Sequence, residues 1–296
     1  MDPAESLRAW QKARTRAQFW RFNTMRTVAK LRKATTGPFI VHRPFAGHEL
    51  YVDLSRYDSQ GLLYFEGERF VTERSLIARL VKPGMRIVDC GANLGYYMLL
   101  LDQLAGPDAQ IDVIEPSRMN LAELRLNIER NGLRNVRLHE VALGAEPGEA
   151  WLAESINSRV VAPGEDESVR AYRVPVRPLD ELVTGRVDFL KIDVDGYEGF
   201  TLQGARRILE RDRPLIFLEF HPVLVKPYGH SLATILAELS RVYSSISYYD
   251  VPQPLPAIRK VLEHYFGVGG YRKLPGPPAE PMEQGRAEGT FWIVCQ

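Results

Sequence analysis

From Arg86 to Glu115 the sequence reads as a buried strand, a tight glycine loop, a helix and a second strand that ends on an acid. Arg86-Ile87-Val88-Asp89 is apolar and rich in β-branched residues, the composition of a strand covered on both faces. Gly91 and Gly95 bracket Ala92-Asn93-Leu94, a helical pattern runs on to Ala105, and Gln110 to Ile114 forms the next strand. Glu115 then falls just beyond that strand's carboxyl end. Two strands joined by one crossover helix lie parallel, so this unit commits the chain to an α/β sheet.

The alternation continues downstream. Ser117 caps a helix that stops near Asn131-Gly132, and Val136 to Val141 is a third strand. Gly144 to Pro175 is polar and turn-rich, with Trp151-Leu152 and Val169 to Val174 able to pair as a hairpin around Asn157 and Ser158. The rhythm resumes with a strand over Val187 to Ile192, a helix over Glu198 to Glu210 and a strand over Pro214 to Phe220. A helix over Ser231 to Leu239, a late strand over Val242 to Tyr249 and a final strand over Thr290 to Cys295 complete it. Upstream, Glu73 to Val81 is helical, and Phe39 to Leu63 carries short strand-like stretches. The expected organisation is a basic helical extension at 1–36, a cap at 37–82, and a main domain at 83–296 with insertions at about 144–175 and 251–289.

A net charge of +1 gives no general push toward nucleic acid. Cys90 and Cys295 lack metal-ligand spacing and read as core residues of a reducing compartment. No apolar run reaches membrane-span length and no signal-peptide pattern opens the chain, so a cytoplasmic protein is expected. The first segment is nevertheless strongly basic, with Arg8, Lys12, Arg14, Arg16, Arg21, Arg26, Lys30, Arg32 and Lys33 against Asp2 and Glu5. Its apolar residues recur near helical spacing, which suits packing on its own domain, self-association, or contact with a membrane surface or an acidic partner. The oligomeric state is open.

The glycine loop narrows the ligand. A dinucleotide fingerprint needs Gly-x-Gly-x-x-Gly, whereas Asn93 and Tyr96 stand where the second and third glycines belong. S-adenosylmethionine carries a ribose and a zwitterionic amino acid without phosphate. Asp89 and the backbone of Gly91, Ala92, Asn93 and Gly95 suit its methionine end, and Glu115, followed by Pro116, suits the ribose hydroxyls. The alternative is that the glycines only shape a turn and Glu115 is a solvated loop carboxylate.

Lys82-Pro83-Gly84-Met85, Asp89 to Tyr97, Glu115-Pro116, Asp188 to Glu198 and Leu218-Glu219-Phe220-His221-Pro222 together resemble the FkbM family of S-adenosylmethionine-dependent methyltransferases. The resemblance covers roughly Phe65 to Tyr249 in unbroken order. It implies a class I methyltransferase sheet, Rossmann-like and mostly parallel with the seventh strand antiparallel, and a methyl group usually delivered to a hydroxyl oxygen. The family's Asp-Val-Glu-Gly stands here as Asp193-Val194-Asp195-Gly196, which keeps the charge but shortens one side chain.

Ligands of open parallel sheets bind outside the carboxyl ends of the strands, where Asp89, Glu115, Ala142, Asp193 and His221 should converge. Ala142, after the third strand, would flank the adenine; Asn120 or Asn127 could support the loops; Asp193 could orient the donor's amine. A hydroxyl is a weak nucleophile, so a base should take its proton. His221 has the most suitable ordinary pKa, with Asp193, Glu198 and Glu219 as competitors; alternatively His221 serves a loop backbone group. Asp193, Glu219 and His221 could also assemble a divalent-metal site, but no adjacent ligand spacing favours it and no metal ligand is assigned. Lys191 is expected to point away from Asp193 and to be structural. The acceptor is expected to be a small molecule with a hydroxyl, such as a saccharide, glycolipid or secondary metabolite, in a pocket lined by the cap, the hairpin and Tyr265, Tyr271 and Arg272. The alternatives are an N-methyltransferase on the same fold and a noncatalytic nucleoside-binding protein.

Overall fold

The computed structural model describes residues 24, 37–54, 71–153, 159–161, 171–250, 271–278 and 291–296. The basic segment read as a helix, the hairpin tip at Asn157 and Ser158, and Tyr265 lie outside these residues. The chain forms two compact units, one of residues 1–44 with 49–69 and one of 45–48 with 70–296. In the first, strands β1 (Ile40–Phe45) and β2 (His48–Asp53) make a two-stranded sheet, with the turn at 45–48 counted in the second unit. Asp53 closes it by accepting the Phe39 amide at 2.9 Å.

The second unit opens with helix α1 (Val71–Leu80) and strand β3 (Arg86–Cys90). Helix α2 (Tyr96–Ala105), strand β4 (Gln110–Ile114), helix α3 (Arg118–Arg130) and strand β5 (Val136–His139) follow. Strands β6 (Ala142–Leu143), β7 (Gly148–Ala153), β8 (Arg159–Val161) and β9 (Ala171–Arg177) belong to a separate small sheet, in the order β6-β9-β7-β8. The chain returns through helix α4 (Leu179–Leu182), strand β10 (Phe189–Ile192), helices α5 (Glu198–Gln203) and α6 (Arg206–Asp212), and strand β11 (Leu215–Phe220). Helix α7 (Leu232–Ser240) and strands β12 (Ile246–Asp250), β13 (Arg272–Leu274) and β14 (Phe291–Cys295) end it.

The main sheet has the order β13-β12-β14-β11-β10-β3-β4-β5. Strands β5, β4, β3, β10 and β11 pair in parallel, and β14 runs antiparallel between β11 and β12. This is the expected class I sheet with its seventh strand reversed, plus β13 added at one edge. Its central strands are apolar runs buried along their length, as a sheet covered on both faces requires. Val88, Cys90, Ile192, Leu218 and Ile293 share one core cluster with Leu202, Ile208 and Ile235 from the covering helices. At the start of α3 the Ser117 hydroxyl accepts the Asn120 amide, and Gly132 ends it at φ 63°.

Several boundaries depart from the sequence reading. The single helix expected over Glu198 to Glu210 is two, broken at Gly204. A Cβ there would lie 2.1 Å from the Gly144 carbonyl oxygen, and the Gly204 carbonyl accepts the Asp180 amide instead of continuing the helix. The third strand stops at His139, after which Ala142 and Leu143 leave for the small sheet and pair with Val176 and Arg177. The late strand begins at Ile246 rather than Val242, because Tyr243 is anchored by its hydroxyl to the Pro214 carbonyl at 2.7 Å. The hairpin is present, with Leu152 opposite Tyr172, and β8 and β13 are strands the sequence reading did not contain.

Candidate active site

The loop after β3 folds back on the carboxyl end of β4. The amides of Gly91 and Ala92 both donate to the Ile114 carbonyl at 3.0 Å, and the Gly95 amide donates to Ala92 at 2.9 Å. Gly91, Asn93 and Gly95 have φ of 82°, 52° and 97°, which turns the chain within one short loop. Asn93 tolerates this because its side-chain oxygen accepts the Leu94 amide at 2.8 Å. Gly91 is required by proximity as well, since a Cβ on it would sit 1.7 Å from the Asp193 carbonyl oxygen.

Glu115 holds this loop to the next one. Oε2 accepts the Asn93 amide at 2.8 Å, and Oε1 accepts the Ser117 amide at 2.8 Å and the Asn120 side chain at 3.2 Å. Asn127 braces the other side by donating to the Leu94 carbonyl at 2.9 Å. Both asparagines are buried and support the loops. Burial pushes the Glu115 carboxyl up to about 7, and the three hydrogen bonds act against it. Pro116 is half-buried between Glu115 and the α3 cap. Ala92 is buried in the loop, whereas the Ala142 side chain packs with Leu152, Val160, Val174 and Val176 in the small-sheet core.

Beneath the loop lies a buried ion pair. Lys191 and Asp89 are register partners on β10 and β3, and the Lys191 ammonium reaches Asp89 Oδ1 at 2.9 Å. Both side chains are fully buried. The ammonium also lies 3.8 Å from Asp193 Oδ2 and 4.9 Å from the Tyr97 ring centroid. Residues two apart on a strand share a face, so Lys191 and Asp193 stand together, which corrects the orientation expected from sequence. Burial opposes the lysine's charge, but Asp89 and Asp193 outweigh it and hold its pKa above the ordinary lysine value. Burial also raises the Asp89 carboxyl, with Lys191 opposing; facing several carboxylates, the ammonium is the more firmly charged partner. Asp89 Oδ2 is buried with no hydrogen-bond partner among the described residues.

The carboxyl ends of β10 and β11 carry a second group. His221 Nδ1 lies 3.3 Å from Glu198 Oε1, and Nε2 lies 3.6 Å from Glu219 Oε1. Glu198 is fully buried at the start of α5; its Oε1 also accepts the Gly196 amide at 3.1 Å. Asp193, Asp195 and His221 each offer a ligand atom, all within 4.8 Å of one another. Burial opposes a charge on His221, but the flanking Glu198, Glu219 and Asp193 outweigh it and push its pKa up to about 11. Burial, then the Asp193 charge, raises Asp195 to about 7; burial, then Glu219, raises Asp193. The sequence reading named Asp193, Glu219 and His221 but gave no place to Lys191 in the site and did not foresee Asp195 in the cluster. The shared parity of 191 and 193 was the available signal for Lys191. Tyr271 and Arg272, expected at the acceptor pocket, instead sit at the β13 edge, where Arg272 pairs with Asp250 at 2.7 Å and Tyr271 packs on Tyr249. Four strand spacings, about 19 Å, separate that edge from β10.

The carboxyl ends of β3, β4, β10 and β11 thus present one acidic, glycine-lined rim at the place where open α/β sheets bind ligands. Comparison with curated proteins finds no match. The structure is similar to that of methyltransferase FkbM from Methylobacillus flagellatus, at 21% identity over 49% of this chain and with a TM-score of 0.37. This chain spans 39% of the length of that protein. It is also similar to an S-adenosylmethionine-dependent O-methyltransferase from Thermotoga maritima, at 16% identity over 76% of this chain and 64% of that one, with a TM-score of 0.40. Fibrillarin from Aeropyrum pernix, solved with S-adenosylmethionine bound, matches at 13% identity over 88% of this chain and 83% of that one, with a TM-score of 0.40. The methyltransferase FkbM domain model matches residues 89–244, more than half of the sequence and the whole of the rim just described. The chain belongs to the FkbM family of S-adenosylmethionine-dependent methyltransferases.

Proposed function

We propose that this methyltransferase delivers its methyl group to a hydroxyl oxygen of a small molecule, a saccharide, glycolipid or secondary metabolite. The observation that carries this reading is the crowd of carboxylates, Asp193, Asp195, Glu198 and Glu219, around His221. An amine drawn into such a field is held as an ammonium ion with no lone pair to accept a methyl group. A hydroxyl enters neutral, and the same field draws off its proton as the new bond forms.

The residues present fit the donor. Asp89 Oδ2, buried and without a partner, is an acceptor suited to the ammonium of the methionine end. Glu115 accepts three hydrogen bonds, and its carboxylate keeps further lone-pair capacity for a ribose hydroxyl. The bound donor supplies an electrophilic methyl group on a sulfonium. Gly91, Ala92, Asn93 and Gly95 bring the backbone against the methionine end, and Pro116 sets the chain after Glu115. Asp193, tied to Lys191, stands between the donor and acceptor sides. His221 stands between Glu198 and Glu219, hydrogen-bonded to Glu198 through Nδ1, and Glu219 takes the acceptor's proton. Positioning then carries much of the rate.

The test is mass spectrometry and carbon NMR of metabolites after incubation with a donor carrying a carbon-13 methyl group. The expected product carries the label on oxygen. A label found only on nitrogen overturns the reading.

A further inference from the structure

We propose that Asp193, Asp195 and His221 form a divalent-cation site of the Mn2+ class that seats the acceptor's oxygen. The proposal rests on the hydroxyl-methylation reading and adds to it the group that would activate the hydroxyl.

Geometry supplies the first support. The ligand atoms of the three residues lie within 4.8 Å of one another. Opposite ligands of an octahedral cation with bonds of about 2.1 Å stand about 4.2 Å apart, so small side-chain movements close the site. The histidine is already prepared for such a role. Glu198 holds Nδ1 at 3.3 Å, the outer carboxylate that orients metal-binding histidines, and this leaves Nε2 for the cation, with Glu219 beside it.

The second support is independent of that spacing. Glu198 is fully buried, yet its Oε2 has no hydrogen-bond partner among the described residues. A buried carboxylate oxygen without a partner is costly, and its other oxygen is already engaged at the edge of this cluster by Gly196 and His221. The nearby lysine does not resolve the imbalance, since Lys191 lies closer to Asp89 than to Asp193, at 2.9 against 3.8 Å. A divalent cation between Asp193 and Asp195 supplies the missing positive charge.

Two carboxylates and one imidazole leave coordination positions for water and for an acceptor oxygen. A hydroxyl placed there ionises more readily. Its oxygen forms the new bond to the methyl carbon, the carbon–sulfur pair returns to sulfur, and the hydroxyl proton leaves to Glu219. The cation is unchanged at the end.

The experiment titrates the full chain, stripped with a chelator, with Mn2+ followed by electron paramagnetic resonance, and in parallel with S-adenosylhomocysteine by calorimetry. One saturable Mn2+ site per chain is expected, lost in Asp195→Asn and weakened about 10- to 100-fold in Glu198→Gln. S-adenosylhomocysteine should bind the parent and both variants, which shows that they are folded. A parent that binds S-adenosylhomocysteine but no Mn2+, or a Mn2+ site indifferent to both substitutions, overturns the cation site and leaves the methylation reading standing. A nitrogen-linked product in the labelling experiment removes that reading without altering the Mn2+ titration.

Discussion

Lys191→Met should cost about 3–5 kcal/mol of stability, the penalty for removing one partner of a buried ion pair. The ammonium is fully buried 2.9 Å from Asp89 Oδ1, so without it Asp89 must either stay charged in an apolar seam or take up a proton. Methionine fills the volume of the lysine stem, which confines the loss to the charge. Urea denaturation of Lys191→Met, Asp89→Asn and the double variant separates the terms. The double variant should recover much of the loss, because an amide needs no counter-ion, and the pair should therefore be strongly non-additive. Additive losses would show that Lys191 acts through packing on Tyr97 instead.

Gly91→Ala should be nearly as damaging to stability and more damaging to binding. Its φ of 82° costs an alanine about 1–2 kcal/mol, and overpacking adds about 1–3 kcal/mol more. The new methyl group would meet the Asp193 carbonyl oxygen at 1.7 Å, and backbone cannot rotate aside as a side chain can. Relief requires β3 and β10 to part at their carboxyl ends, which displaces Asp193 and the loop together. Gly84→Ala is the control: its φ is 79°, but nothing lies within 4 Å of the added carbon. It should lose only the conformational part, about 1–2 kcal/mol, and keep its affinity for S-adenosylhomocysteine in calorimetry. Equal losses in the two variants would mean that the close approach to Asp193 contributes nothing.

The sheet and donor loop were legible from sequence because their signals are local. Ser117 announces a helix start three residues before the amide it caps, Gly132 ends that helix, and Ile111, Val113 and Ile114 mark a short buried strand. Most of the misreadings depend on partners distant in sequence. Gly204 breaks a helix because the Gly144 backbone passes against it, and nothing between Glu198 and Glu210 marks that crossing. Glu198 reads as an ordinary acid in a first helical turn, where a carboxylate is usually solvated. It is buried because His221, on another strand end, reaches its oxygen. His221 looked like a free base for the same reason: its ordinary pKa belongs to an isolated imidazole, and the carboxylates that raise it come from three separate segments. Edge strand β13 is three residues long inside a proline-rich stretch, too short to show a period.

Binding of S-adenosylhomocysteine to the parent and to Glu115→Gln, measured by calorimetry beside NAD, tests the donor site most directly. If Glu115 at the end of β4 holds the donor's ribose, the parent binds S-adenosylhomocysteine and not NAD. Glu115→Gln, which exchanges one carboxylate acceptor for an amide donor, then binds about tenfold more weakly or worse. Binding of NAD in place of S-adenosylhomocysteine, or an unchanged affinity in a folded Glu115→Gln, would contradict the placement of the donor on this rim.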